Sequence, residues 1–229
     1  MISQVTVCLL LLICAGVLLR AARKVEALDP GLVTRGAFHL EVDLKYQSKI
    51  VDRLKSVPNL ETLAVAWQPP LYGRFQTIPV GVSEHGDVTW ARYDFVSPEY
   101  FDVFRIPLLR GRTFNAQEAK SESPVVIISQ ATARHFWPNQ DALGQSIRLV
   151  QDASFKGRAP LFRSAQVIGI SRDVASGMLS DGLDPTCLYF PTSLLSPENG
   201  SLLVRFKENG DATPRAIVAD SSRRLRTRR

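Results

Sequence analysis

The hydrophobic pattern opens on one unbroken run. Between Ile2 and Leu19 the only polar residues are Ser3, Gln4 and Thr6, and Val7 to Leu19 holds only apolar side chains, two cysteines and one glycine. Wound as a helix, these residues span roughly 27 Å, close to the roughly 30 Å hydrocarbon core of a bilayer. The run therefore predicts a transmembrane helix over 2–19, with Arg20 free to snorkel at its far end. A cleaved signal peptide is the rival, but it needs basic residues before the run and a small-x-small site after it. Here Arg20, Arg23 and Lys24 come after.

Beyond Pro30 and Gly31 the pattern becomes one of short strands and helices. Phe38, Leu40, Val42 and Leu44 fall on one face of a strand over 37–44, with His39, Glu41 and Asp43 on the other. Tyr46, Ile50, Leu54 and Val57 follow at helical spacing, which predicts an amphipathic helix closed by Pro58, and Thr62 to Trp67 is a second strand. After a loop rich in proline and glycine, Val88 to Val96 is a predicted strand. Ser97-Pro98-Glu99 is a predicted helix start, with a hydroxyl at the cap, proline in the first turn and an acid facing the positive end of the dipole. Val125 to Ile128 is a strand, and Ser129 caps a helix that stops at Pro138. Asp141 to Gly144 is a turn before a strand over Ile147 to Val150, and Gln166 to Ile170 is another strand. The last block predicts strands over Cys187 to Phe190 and Leu202 to Phe206, then a helix from Thr213 to Arg226.

Length and composition narrow the function classes. With 229 residues, 45% of them hydrophobic, the chain can bury a core, which excludes disorder over most of its length. The formal charge of +6 comes from the two ends: five arginines lie within 223–229 and three cations follow the apolar run, leaving the body slightly acidic. A nucleic-acid partner is thereby disfavoured, because such a face needs Lys and Arg spread along one surface. Cys8 and Cys14 lie in the apolar run and only Cys187 in the body, so no disulfide framework is expected. His39, His85 and His135 are too scattered to suggest a metal site.

Common catalytic motifs are missing. The chain has no Walker-type loop, G-x-S-x-G, H-E-x-x-H or C-x-x-C. Ser97 and Ser129 sit where helix caps belong, and His135 sits at a helix end that favours a cation. Asp173 beside Arg172 is expected in a solvated loop, Asn199-Gly200-Ser201 as a turn rather than a glycosylation site, and the arginine-rich tail as a solvated helix end. No catalytic, cofactor-binding or metal-binding residue is therefore assigned, and no enzyme activity or cofactor is expected.

One stretch carries a family resemblance. Phe95-Val-Ser-Pro-Glu-Tyr-Phe-Asp-Val-Phe-Arg-Ile-Pro-Leu-Leu-Arg-Gly-Arg-Thr-Phe114 resembles a recurring stretch in the MacB-like periplasmic core domain of FtsX-type ABC transporter permeases. Three further blocks continue the likeness in order: Ser123 to Pro138, Ala142 to Leu149 and Val167 to Val174. Ala15-Gly-Val-Leu-Leu-Arg20, with Leu28-Asp-Pro-Gly31, is similar to the first transmembrane helix in one half of the duplicated permeases of this superfamily.

The resemblance implies an α+β fold in which one N-terminal transmembrane helix, within 1–24, precedes a two-lobed extracytoplasmic domain over 25–229. A porter-like lobe of strand, helix, strand units would comprise about 37–67 and 187–226, and an inserted α/β lobe about 75–186. It also implies a non-catalytic part of an ABC transporter permease in the bacterial inner membrane, facing the periplasm and coupling ATPase-driven motion to export or another periplasmic task. The implied partners are the membrane, a cytoplasmic ABC ATPase and the remaining permease helices, with homo- or hetero-dimerisation left open. The local charges oppose this orientation, since the positive-inside rule would place Arg20 to Lys24 in the cytoplasm. The family also continues into a closing strand and three more helices, so the chain is expected to be a truncated member. The alternatives are an anchored or secreted solute- or partner-binding module and, more remotely, an anchored hydrolase.

Overall fold

The computed structural model describes residues 6, 10–20, 29–71, 75–83, 86–150, 158–177, 182–196 and 201–207. Residues 10–20 are helical and exposed. Among the described residues no helix is long and apolar enough to cross a membrane. Most of the remainder of the expected span over 2–19 lies outside them, as do His85, the Asn199-Gly200 turn and the expected helix over 213–226.

Among the described residues ten strands form the body, and six of them close into a ring. The six are β3 (Gln76–Gly81), β4 (Thr89–Val96), β6 (Val125–Ser129), β7 (Ser146–Leu149), β8 (Ser164–Ser171) and β9 (Cys187–Pro191). β4 pairs antiparallel with β3 and parallel with β9. β9 pairs antiparallel with β6, β6 parallel with β8, β8 antiparallel with β7, and β7 antiparallel with β3, which completes the circuit. Strand alternation fills the inside. Ala91, Tyr93 and Phe95 of β4 meet Ile78 and Val80, Val126 and Ile128, Ile147 and Leu149, Ala165 and Val167, and Leu188 and Phe190. At Ile168 the β6–β8 register slips by one, and Ile170 rejoins the inner face.

A three-stranded wing adjoins the ring. β10 (Ser201–Phe206) lies antiparallel between β1 (Ala37–Glu41) and β2 (Leu60–Ala66). One wing face, with Leu63, Val65, Leu202, Val204 and Phe206, packs on Val51 and Leu54 of helix α1 (Gln47–Lys55). The opposite face, with Ala64, Ala66 and Leu203, packs on Tyr100, Phe101 and Val103 of the short helix α2 (Tyr100–Val103), whose other contacts include Ile127 and Tyr189 of the ring. Period-two alternation thus gives every wing strand one face for each helix.

Five elements differ from the sequence expectations. β1 ends at Glu41 rather than 44, because the Asp43 carboxylate accepts the Lys45 N–H and turns the chain into a 3-10 turn at Leu44–Tyr46. β3 falls within the stretch expected as loop; Pro79 has no N–H to give, yet its carbonyl accepts the Val150 N–H. β5 (Leu108–Gly111), which pairs with β8, and α3 (Ala116–Ser121) were not anticipated, although Asn115-x-x-Glu118 forms a reciprocal capping box. The strand over Cys187–Pro191, expected beside the wing strands, is hydrogen-bonded within the ring. All five of its residues are buried, as suits a strand covered on both faces.

Candidate functional site

The segment from Asp29 to Gly36 is a strap that binds the incoming chain to three parts of the body. The Asp29 carboxylate accepts the Gly31 N–H at 2.9 Å and pairs with Arg172 after β8, and both bonds hold it below the usual carboxylate range. The Pro30 carbonyl accepts the Ala175 N–H, and Gly31 has φ +74°. A Cβ at Gly31 would stand 2.1 Å from the Asp173 carbonyl oxygen, so only glycine fits this approach. Leu32 is buried beside α2, and the Val33 N–H donates to Phe104 at 2.7 Å. Arg205 of β10, 2% exposed, then donates Nε to Val103, Nη1 to Arg35 and Nη2 to Val33. One arginine thus ties the strap and the end of α2 to the centre of the wing.

Wing and ring meet where β2 splays from β4. They share a single paired register position, Ala66 with Val96, flanked by Trp67 N–H to Phe95 and Ser97 N–H to Val65. Beyond those, side chains replace carbonyls: Ser97 Oγ accepts the Val65 N–H at 3.1 Å, and Asp94 Oδ1 accepts the Gln68 N–H at 3.0 Å. Burial pushes Asp94 well above the ordinary carboxylate value, against the Gln68 and Phe95 N–H groups and the nearby Arg158. Arg158 lies 3.8 Å over the Phe95 ring and pairs with Glu122, which also accepts the Thr192 hydroxyl at 2.9 Å. On β4, Arg92 pairs with the buried Asp184, which accepts the Ser176 N–H as well.

A groove of about 510 Å³ opens between Val51, Asp52 and Lys55 of α1 and Ala116, Ala119 and Lys120 of α3. Pro98, Glu99, Phe114 and Leu194 also line it. Its walls are mostly apolar. Glu99 Oε2 is buried and has no hydrogen-bond partner among the described residues.

The polar residues singled out in the sequence do not converge. Ser129 caps α4 (Gln130–Phe136) as expected, accepting the Thr132 N–H at 3.2 Å. Ser97 does not cap α2: its hydroxyl serves β2, and its backbone carbonyl accepts the Tyr100 N–H. His135, in the last turn of α4, hydrogen-bonds the Thr89 hydroxyl. Asp173 is not in an independent solvated loop; it accepts the Ala131 N–H at 2.6 Å in the first turn of α4. Cys187 is buried with its thiol pushed up by desolvation, which leaves it unreactive. Among the described residues no group of His, Cys, Asp and Glu comes together at metal-binding spacing. Sequence reasoning passed over Asp94, Arg158 and Arg205. The signal for Arg205 was one cation in the otherwise apolar run Leu-Leu-Val-Arg-Phe.

The chain as a whole has counterparts among known proteins. The MacB-like periplasmic core domain matches residues 15–219, nearly the whole chain. The chain belongs to that family. Among solved structures, the periplasmic region of MacB from Actinobacillus actinomycetemcomitans is similar with a TM-score of 0.59 at 14% identity, covering 88% of this chain and 89% of that one. The extracellular domain of the noncanonic ABC-type transporter YknZ from Gram-positive bacteria gives 0.49 at 16% identity, covering 76% and 83%. At such identities the MacB likeness establishes the mixed α+β fold of this MacB-like domain. None of the curated proteins matches.

Proposed function

We propose that this MacB-like domain is the non-catalytic periplasmic part of an ABC transporter permease, anchored by the helix over 2–19 and passing motion from membrane helices and a cytoplasmic ATPase to periplasmic work. The strap carries the reading. It is the first described segment after the apolar helix, and it is bonded to the end of β8, to α2 and to β10, so displacement of the N-terminal segment pulls on ring and wing together. The exposed helical stretch supports the anchor: Leu10, Leu11, Leu12, Ile13, Val17, Leu18 and Leu19 are each at least 55% exposed, a surface suited to lipid. The division into a porter-like lobe and an inserted lobe corresponds in this reading to wing and ring, with β9 assigned to the ring. Family membership outweighs the local positive-inside count in setting orientation, because Arg20, Arg23 and Lys24 would otherwise hold this side in the cytoplasm.

A cysteine introduced at exposed Gln117 on α3 tests the topology in expressing cells. A membrane-impermeant maleimide should label it once the outer membrane is permeabilised, and the chain should stay in the membrane fraction with residues 1–24 attached. Labelling only after the inner membrane is opened, or a soluble product starting near residues 21–27, overturns the proposal. The groove favours a second reading, a solute-binding role between wing and ring.

A further inference from the structure

We propose that residues 67–71, where β2 leaves the wing–ring junction, form a flap that stays shut while the Asp94 carboxyl is neutral and opens when it ionises. The proposal rests on this junction alone and is independent of the membrane topology. Pro69 and Pro70 have no N–H, so the backbone donors of the flap are Trp67, Gln68 and Leu71. They give to the Phe95 carbonyl at 2.9 Å, Asp94 Oδ1 at 3.0 Å and the Ser176 carbonyl at 2.9 Å. Of these three acceptors only Asp94 can change its charge. Leu71 has φ +63°, a left-handed conformation costly to a residue with a Cβ, and opening relieves it. A cavity of about 20 Å³, enough for one water, lies between Gln68, Pro69, Phe75, Arg92, Asp94 and Ser176.

The charges around Asp94 decide what ionisation does. Among the described residues Arg92 pairs with Asp184, and Arg158, the cation that attracts Asp94, pairs with Glu122. Asp184 also accepts the Ser176 N–H and hydroxyl, whereas Asp94 Oδ1 accepts the Gln68 and Phe95 N–H groups. A third carboxylate beside two guanidiniums is a surplus negative charge, and Asp94 is only 8% exposed. Burial raises Asp184 as well as Asp94 above the ordinary value. Tyr93 of β4, Tyr100 of α2 and Cys187 and Tyr189 of β9 border the same cavity, and burial pushes all four upward, so they stay neutral to pH 8. With the flap open the carboxyl meets water and sheds its proton near the ordinary 3.8; with the flap shut it keeps the proton to a higher pH. Opening therefore releases one proton. It becomes about tenfold easier per pH unit from about pH 4 to the midpoint of the shut form, and then levels off.

The test is NMR of the purified full chain in detergent micelles, with amide nitrogens and aspartate Cγ isotope-labelled, from pH 4 to pH 8. Amide exchange, corrected for its intrinsic rate at each pH, should show Gln68 and Leu71 losing protection about tenfold per pH unit until the Asp94 Cγ signal titrates, and no further beyond it. Val126 to Ile128 should keep their protection, which marks the opening as local. Asp94→Asn keeps an acceptor for the Gln68 N–H without the charge, so its protection at Gln68 and Leu71 should not depend on pH. Val126 to Ile128 report whether the variant is folded; if it is not, the coincidence of the two curves in the parent decides. The proposal is overturned by pH-independent protection at Gln68 and Leu71 in the parent, or by the same loss in folded Asp94→Asn. Loss at Val126 to Ile128 in step with the flap, or an Asp94 carboxyl that titrates at its ordinary value, overturns it as well.

Discussion

At the residue scale, a buried guanidinium and a buried carboxyl group hold the places where wing, ring and strap meet. Arg205 satisfies three carbonyls, one of them at the end of α2, where the helix dipole favours a cation. Arg205→Met keeps much of the volume but strips donors from Val33, Arg35 and Val103. We expect it to cost about 2–4 kcal/mol in urea unfolding, since each buried acceptor left unmet costs about 1–3 kcal/mol. Arg205→Lys should recover less than half, because one ammonium cannot reproduce the guanidinium fork; full recovery would show that charge alone matters. Asp94 behaves differently, because burial raises its pKa from an ordinary 3.8. Above that value the folded chain keeps a proton that the unfolded chain has shed, so this group's contribution to stability falls as pH rises toward the folded pKa. Asp94→Asn keeps an acceptor for the Gln68 N–H and removes the titration. Its stability relative to the parent should therefore increase from pH 4 to pH 8, and parallel pH profiles for the two proteins would refute the assignment.

At the element scale, closure separates the strands. Every ring strand has two neighbours, whereas β1 is paired on one side only among the described residues. Ring closure removes edges, and an unclosed edge opens at low cost. Hydrogen exchange should find the amides of Val126 to Ile128 protected to the level of global unfolding, and those of β1 exchanging faster by local opening. Equal strong protection would mean that β1 is covered on its second side. Turn and cap chemistry acts at this scale as well. The Glu118 carboxylate that closes the capping box of α3 also takes a bidentate pair from Arg112, so one acid fixes both the start of the helix and its approach to the ring. That α3 was missed reflects its length: six residues with one buried position carry no helical period, and only the Asn115-x-x-Glu118 signature marks it.

At the scale of the whole molecule, the strap, the splayed β2–β4 junction and Arg205 connect residues 29–36 with both wing and ring. The junction is narrow because two of its hydrogen bonds come from the side chains of Ser97 and Asp94 instead of from a continued ladder. The groove borders the same junction, with α1 of the wing on one side and α3 on the other.

Local chemistry determined most of the elements. Hydrophobic patterning with cap and turn signals located eight strands and three helices near their true places, because each element has a definite apolar cover. Ser129 could be assigned as a cap because its oxygen bonds within its own turn. The ordered family blocks indicated the fold class for the same reason, as each is a short stretch of local sequence. What only the tertiary structure decided depends on partners far along the chain. Ser97 and Ser129 are alike in sequence, yet Val65, 32 residues away, claims the Ser97 hydroxyl. Cys187–Pro191 joins the ring because both its faces find cover there, a fact that depends on β4, β6 and α2 together. Arg205 and Asp94 acquire their roles only when residues 33–35 and 67–68 are brought to them. Periodicity records which face of an element is apolar, and it holds no information on which distant backbone group a buried polar side chain will meet.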